Sequence, residues 1–268
     1  MFSFILAVIY VCFISLGLPD SLLGSAWPTI YKDLDVPFSF AGIISALICL
    51  CTIISSLLSD KLTKKFSSGT VTCVSILLTA TALIGFSIST EFWMLILFAI
   101  PYGLGAGGVD AALNNYVALN YESKHMSWLH AMWGVGATIS PYIMGYALTN
   151  GAGWNQGYLI VSIIQFIICL FVFFTLPKWK GNKKEEEKNE TKKSLKLIEV
   201  MKIPGAISSV IMFFAYCALE QSAMLWASSY LVQNNNIKEE VAAILASMFA
   251  IGITLGRFIN GFLTLKLS

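Results

Sequence analysis

Four ionisable side chains, Asp20, Asp110, Glu220 and Arg257, stand inside otherwise apolar stretches of this 268-residue chain. An ionised group near a bilayer centre costs about 2.5–3.5 kcal/mol on insertion scales, so such residues line an internal path or pair with one another. Asp110 and Asn114 are four residues apart and share one helix face. A carboxylate in a partly dry cavity has its pKa raised toward neutrality, which is what a proton-coupling group needs. Asp110 is therefore expected to carry a proton. Asp20 is expected either to bind substrate hydroxyls or to share that proton, and a fixed interhelical hydrogen bond is the plain alternative for each. His130 either joins the relay or is a helix-end histidine bonded to a neighbour. Glu220, Gln221 and Trp226 read as one cavity wall, since indole faces and amides suit a polyhydroxylated solute. Trp133 is a second such indole, and packing at the lipid interface is the alternative for both. Arg257 is expected to pair with an acid across a helix-bundle interface.

The elements that must position these groups follow from composition. The chain is 57% hydrophobic and 12% charged, against roughly 25% charged in soluble domains. It therefore reads as an all-α polytopic membrane protein, with the lipid bilayer as its solvent. A span needs about 20 apolar residues, and eight such runs occur, at about 3–30, 39–59, 69–89, 92–119, 128–149, 157–177, 203–232 and 240–264. The first six, residues 1–177, form one expected bundle. Residues 178–202 are a mixed-charge linker, and 203–268 are the first two helices of a second bundle. Asn189-Glu190-Thr191 in the linker fits a glycosylation pattern but is assigned no role. With the N-terminus inside, fourteen lysines fall on the inner side and only Lys32 and Lys238 outside, so the linker is expected to be cytoplasmic. Glycines 103, 105, 107 and 108, with 134, 136 and 145, suit close helix approach. Pro19 and Pro141 predict kinks. The six cysteines, all in apolar runs and without metal-ligand spacing, read as small hydrophobes.

Between spans two and three runs Ser56-Leu57-Leu58-Ser59-Asp60-Lys61-Leu62-Thr63-Lys64-Lys65. It resembles the G-x-L-x-D-R-x-G-R-K loop signature of the major facilitator superfamily. Leu58, Asp60 and Lys65 match; Lys61 and Lys64 keep the charge, and Ser56 and Thr63 replace glycines. An acid followed by bases at a helix end can form an interhelical charge network that breaks as bundles rock. Gly261-Phe262-Leu263-Thr264-Leu265-Lys266 repeats the frame at the end of span eight, as expected of six-span parallel repeats. Two segments resemble the fucose permease branch of sugar–proton symporters: Leu16-Gly17-Leu18-Pro19-Asp20, and the glycine run that leads to Asp110 and Asn114. That branch has Glu where this chain has Asp110.

The resemblance implies a secondary active transporter that moves a small polar solute, such as a sugar, by alternating access with proton coupling. Import is favoured. Its implied partners are that solute and protons, with no cofactor, metal or nucleic acid, in the plasma (inner) membrane. An exporter of the same superfamily and a non-transporting sensor are the alternatives. Neither the Y-D nor the G-x-G-D pattern of an intramembrane aspartyl protease is present, and no H-E-x-x-H, G-x-S-x-G or P-loop occurs, so an enzyme is not expected. The resemblance also implies twelve spans. A chain that stops at Ser268 is therefore expected to be a truncated transporter, needing further C-terminal helices or a partner subunit.

Overall fold

A computed structural model describes residues 4–179 and 197–267, so most of the charged linker and its Asn189-Glu190-Thr191 triplet lie outside the described residues. Among these residues the fold is all-α, with no strand. In chain order the helices are α1 (Phe4–Asp20), α2 (Leu22–Asp33), α3 (Ala41–Phe66), α4 (Ser68–Ser87), α5 (Phe92–Asn120), α6 (Ser123–Thr149), α7 (Gly153–Thr175), the short α8 (Leu197–Met201), α9 (Ala206–Asn235) and α10 (Glu239–Leu267). Seven of the eight expected spans are long and apolar enough to cross a membrane, with α1 and α2 counted together. The eighth, α6, has the length, but Lys124, His125, Ser127, His130 and Ser140 dilute its hydropathy. A span that faces a cavity and its neighbours, rather than lipid, tolerates this.

The first span breaks where Pro19 predicts. Proline has no N–H and cannot bond the carbonyl four residues back, which here is Ser15 O. Gln165 of α7 supplies the missing donor: its Nε2 reaches Ser15 O at 2.7 Å, while its Oε1 accepts from Thr79 Oγ1 at 2.7 Å. Both Ser15 and Gln165 are buried. The helix restarts after Ser21, whose carbonyl accepts from both N and Oγ of Ser25. By contrast, α6 is one continuous helix through Pro141.

The glycines of α5 sort onto two faces. Added Cβ atoms on Gly103 and Gly107 would strike α3 at Ile48, Cys51 and Thr52; on Gly105 and Gly108 they would strike α4 at Ser75 and Thr79. Hydroxyls of α3 exploit this closeness, and Thr52 and Ser55 donate to the carbonyls of Gly103 and Leu104 at 3.2 and 2.6 Å. The expected loop around Asp60 is instead the last turns of α3, which runs to Phe66. Lys64 pairs with Asp60 at 2.8 Å inside that helix, and Ser67, at φ +70°, ends it.

The last two long helices dock on the first six, where α1 and α2 count as one. The antiparallel pair α6 and α10 make the most extensive contact in the fold. Gly145 lies against Glu240 and Ile244, Gly134 against Thr254, and Gly261 against the Trp128 ring. α2 also docks on α9, where Gly24 backs onto the main chain of Met224 and Leu225, and on α10.

The Gln165 clip makes a stability prediction. Gln165→Leu strands a buried carbonyl and should cost about 1–2 kcal/mol, read as a lower thermal midpoint in detergent. Gln165→Glu, which keeps an acceptor but not the amide donor when ionised, should be at least as damaging.

Candidate functional site

Between the first six helices and the last two lies a cavity of about 510 Å³. Asp20 and Asp110 line it from α1 and α5, His130 and Trp133 from α6, Glu220, Gln221 and Trp226 from α9, and Arg257 from α10. The chain thus gathers residues as far as 237 positions apart (257 − 20) around one space.

The break at Ser21 leaves Asp20 as the last residue of α1, where both its carboxylate oxygens are engaged. Tyr102 Oη donates to Oδ1 at 2.6 Å, and Trp133 Nε1 donates to Oδ2 at 2.7 Å. Asp110 accepts from Asn114 Nδ2 at 2.9 Å, the i,i+4 bond that their spacing allows. Asn114 supports Asp110 in this way and is not among the residues lining the cavity. His130 sits two turns inside α6, not at a helix end, with its ring edge-on to Phe13 at 5.5 Å.

Arg257 departs from expectation. It pairs with Glu220 of the adjacent helix, Nη2 lying 3.0 and 3.1 Å from the two carboxylate oxygens, and with Tyr216 Oη at 2.9 Å. It meets the first six helices through the face of Trp133, 4.7 Å from the ring centre. It takes no part in the Asp60 segment. There Asp60, Lys61, Lys64 and Lys65 are all exposed at the end of α3, and Lys65 lies over the Phe66 ring. Among the described residues the one ion pair of that segment, Lys64 with Asp60, is internal to its helix, so no interhelical charge network forms among them. Trp226 is shared between the cavity and the Phe38 ring, 5.0 Å away. Phe38 also meets Tyr31 edge-on, and its carbonyl accepts from Trp27 Nε1 at 2.7 Å. With Lys32 and Glu239 at 2.7 Å, this cluster links α2 to α9 and α10 beside Trp226.

Sequence reasoning passed over Tyr102, Tyr216 and Phe38. Tyr102 had a usable signal: with Ala106 and Asp110 it recurs every four residues along α5, and all three line the cavity. Tyr216 stands four residues before Glu220 on α9. Among the described residues no group of His, Cys, Asp and Glu could hold a metal ion.

The sequence pattern of the Major Facilitator Superfamily matches residues 9–268. The chain is 25% identical to Bypass of stop codon protein 6 of Saccharomyces cerevisiae, over 95% of this chain and 56% of that protein. It is 24% identical to the Glucose/mannose transporter GlcP of Bacillus subtilis, over 96% and 65%. To the Multidrug efflux pump SdrM of Staphylococcus aureus it is 26% identical, over 63% and 39%. It therefore spans between two fifths and two thirds of the length of these relatives.

The Glu220 side chain is only 7% exposed and that of Arg257 22%. Removing one partner of a buried pair leaves the other charge stranded, at about 3–5 kcal/mol when burial is full. The open cavity side of Arg257 lowers that figure to roughly 1–3 kcal/mol. Arg257→Ala should therefore lower the thermal midpoint, and adding Glu220→Gln should restore part of the loss. A double-mutant cycle with coupling near zero would contradict this account.

Proposed function

The chain belongs to the Major Facilitator Superfamily, and from that premise we propose that it serves a secondary active transporter that carries a small polar solute with protons by alternating access. The observation that carries the reading is the placement of Asp20, Asp110, Glu220, His130 and Arg257 around one cavity between two groups of helices. A multi-pass membrane chain has no cheaper place for such groups than a solute path or a mutual pair. On this reading Asp110 is the proton carrier. Asp20 contributes to the same site, either as a second proton group or as an acceptor for substrate hydroxyls. Gln221, beside Glu220, and the cavity side of Trp226 offer an amide and an apolar face for the solute.

A hexose is the first solute to try, because GlcP carries glucose and mannose in its name. The inner membrane, with the N-terminus and the 178–202 linker cytoplasmic, is the proposed setting, supported by the lysine distribution. The second reading is efflux, favoured by the similarity to SdrM. Because the relatives are longer, the activity proposed is that of the whole protein to which these residues belong.

The test is flux in proteoliposomes with radiolabelled glucose or mannose and an imposed pH gradient, run in both directions. The wild type should accumulate label against its gradient when the driving side is acidic. Asp110→Asn should abolish that accumulation by tenfold or more while solute exchange at equal pH survives in part. Undiminished accumulation in Asp110→Asn would falsify the assignment of the proton to this residue.

A further inference from the structure

One indole touches both halves of the charged site. Trp133 is buried, its Nε1 donates to Asp20 Oδ2 at 2.7 Å, and its ring carries the Arg257 guanidinium at 4.7 Å. The same guanidinium is bonded to Glu220. We propose that Trp133 is a positioning residue through which the charge on Asp20, in the first six helices, sets the hold on the Arg257–Glu220 pair in the last two. The inference rests on the reading of Asp20 as a group that gains and loses a proton.

The argument is one of geometry and acceptor strength. An indole N–H bonded to a carboxylate is charge-assisted and roughly twice as strong as the same bond to a neutral acceptor. The bond holds the indole's single donor, and because the side chain turns only about χ1 and χ2, holding that nitrogen holds the ring plane as well. A guanidinium is attracted to the face of an indole and not to its edge, so the ring plane decides whether Arg257 has a platform. When Asp20 is charged, the donor is held and the face is presented to Arg257. When Asp20 takes a proton, the donor is held less firmly and the platform is free to turn. Arg257 then depends on Glu220 and Tyr216 alone, and the link between the two groups of helices at this level is released. The ring face engaged by Arg257 is also covered, which assigns Trp133 to coupling and leaves Trp226 as the indole with a face for solute.

Other groups that face this site could titrate in its place. They are Cys49 from α3, Tyr102 and Asp110 from α5, His130 from α6, Tyr158 from α7, Tyr216, Cys217 and Glu220 from α9 and Arg257 itself from α10. The test must therefore single out Asp20.

The first readout is the emission of Trp133, taken as the difference between wild type and Trp133→Phe because the chain has seven tryptophans, and followed across pH in detergent. The difference emission should titrate in the wild type, vanish as a titration in Asp20→Asn, and persist in Asp110→Asn and His130→Gln. A wild type without titration, or a titration that survives Asp20→Asn, overturns the proposal. The second readout is the thermal midpoint of Asp20→Asn, Glu220→Gln and the double variant. The two should be non-additive by about 2–4 °C with Trp133 in place and additive with Trp133→Phe, which keeps a ring but loses the donor. Additive shifts in the wild-type chain are decisive against the proposal even if Trp133→Phe fails to fold. Neither readout requires transport. A protein that moves no solute yet passes both tests sinks the transporter reading and leaves the coupling intact, and the converse result sinks the coupling alone.

Discussion

Inside a bilayer, a backbone carbonyl that loses its helical partner has no water to turn to, and at Ser15 this constraint organises the protein. Pro19 removes the donor, and Gln165 on a helix 150 residues away replaces it. Because the replacement is itself fastened to Thr79, three helices are tied at the level where the first span breaks. The break ends α1 on Asp20 and brings its carboxylate within reach of Tyr102 and Trp133. Without the clip the break would leave a buried carbonyl unbonded; without the break, the acid would lie elsewhere on a regular helix. The charged site is thus downstream of one satisfied hydrogen bond.

Around that point the packing follows two regimes. Within the first six helices, α5 is pinched between α3 and α4 by glycines on both sides, and hydroxyls of α3 reach its carbonyls. Such contacts gain dispersion and hydrogen bonds in a solvent that offers no hydrophobic drive between helices. They give α5 a fixed register, so Tyr102 and Asp110 have fixed heights. Between the first six helices and the last two, glycines again allow close approach, at Gly24, Gly134 and Gly145. The polar links there include an exposed Lys32–Glu239 pair, of the kind worth under about 1 kcal/mol, a long Asn260–Ser127 hydrogen bond at 3.3 Å, and the stack of Arg257 on Trp133. The seam between the two groups is held mainly by shape.

Much of this could be read from the residues. Composition and run length established an all-α membrane chain, the proline located the break, and the isolated acids marked the helices that face inward. What was not legible depended on partners far away in sequence. Gln165 looks like any polar residue in an apolar run until Ser15 is seen beside it. Arg257 could have met any of three acids, and adjacency of α9 and α10 decided for Glu220. The Asp60 segment was expected as a loop because it follows an apolar run and resembles a loop signature. Its leucines and lysines are good helix formers, and the helix carries on past the apolar run until Ser67.

The depth of the charged residues has an electrical consequence. Asp20, Asp110, Glu220 and Arg257 all lie near the middle of helices 29 or 30 residues long, the two segments of the first span taken together. A charge moved across a whole membrane works against about 2.3 kcal/mol per 100 mV, so one that reaches mid-depth has crossed roughly half of that drop. On the proposed reading, a proton that settles on one of these acids has crossed part of the membrane voltage before any solute moves. A site at that depth answers, on that reading, to voltage as well as to acidity, and the proline-made break sets the depth of Asp20.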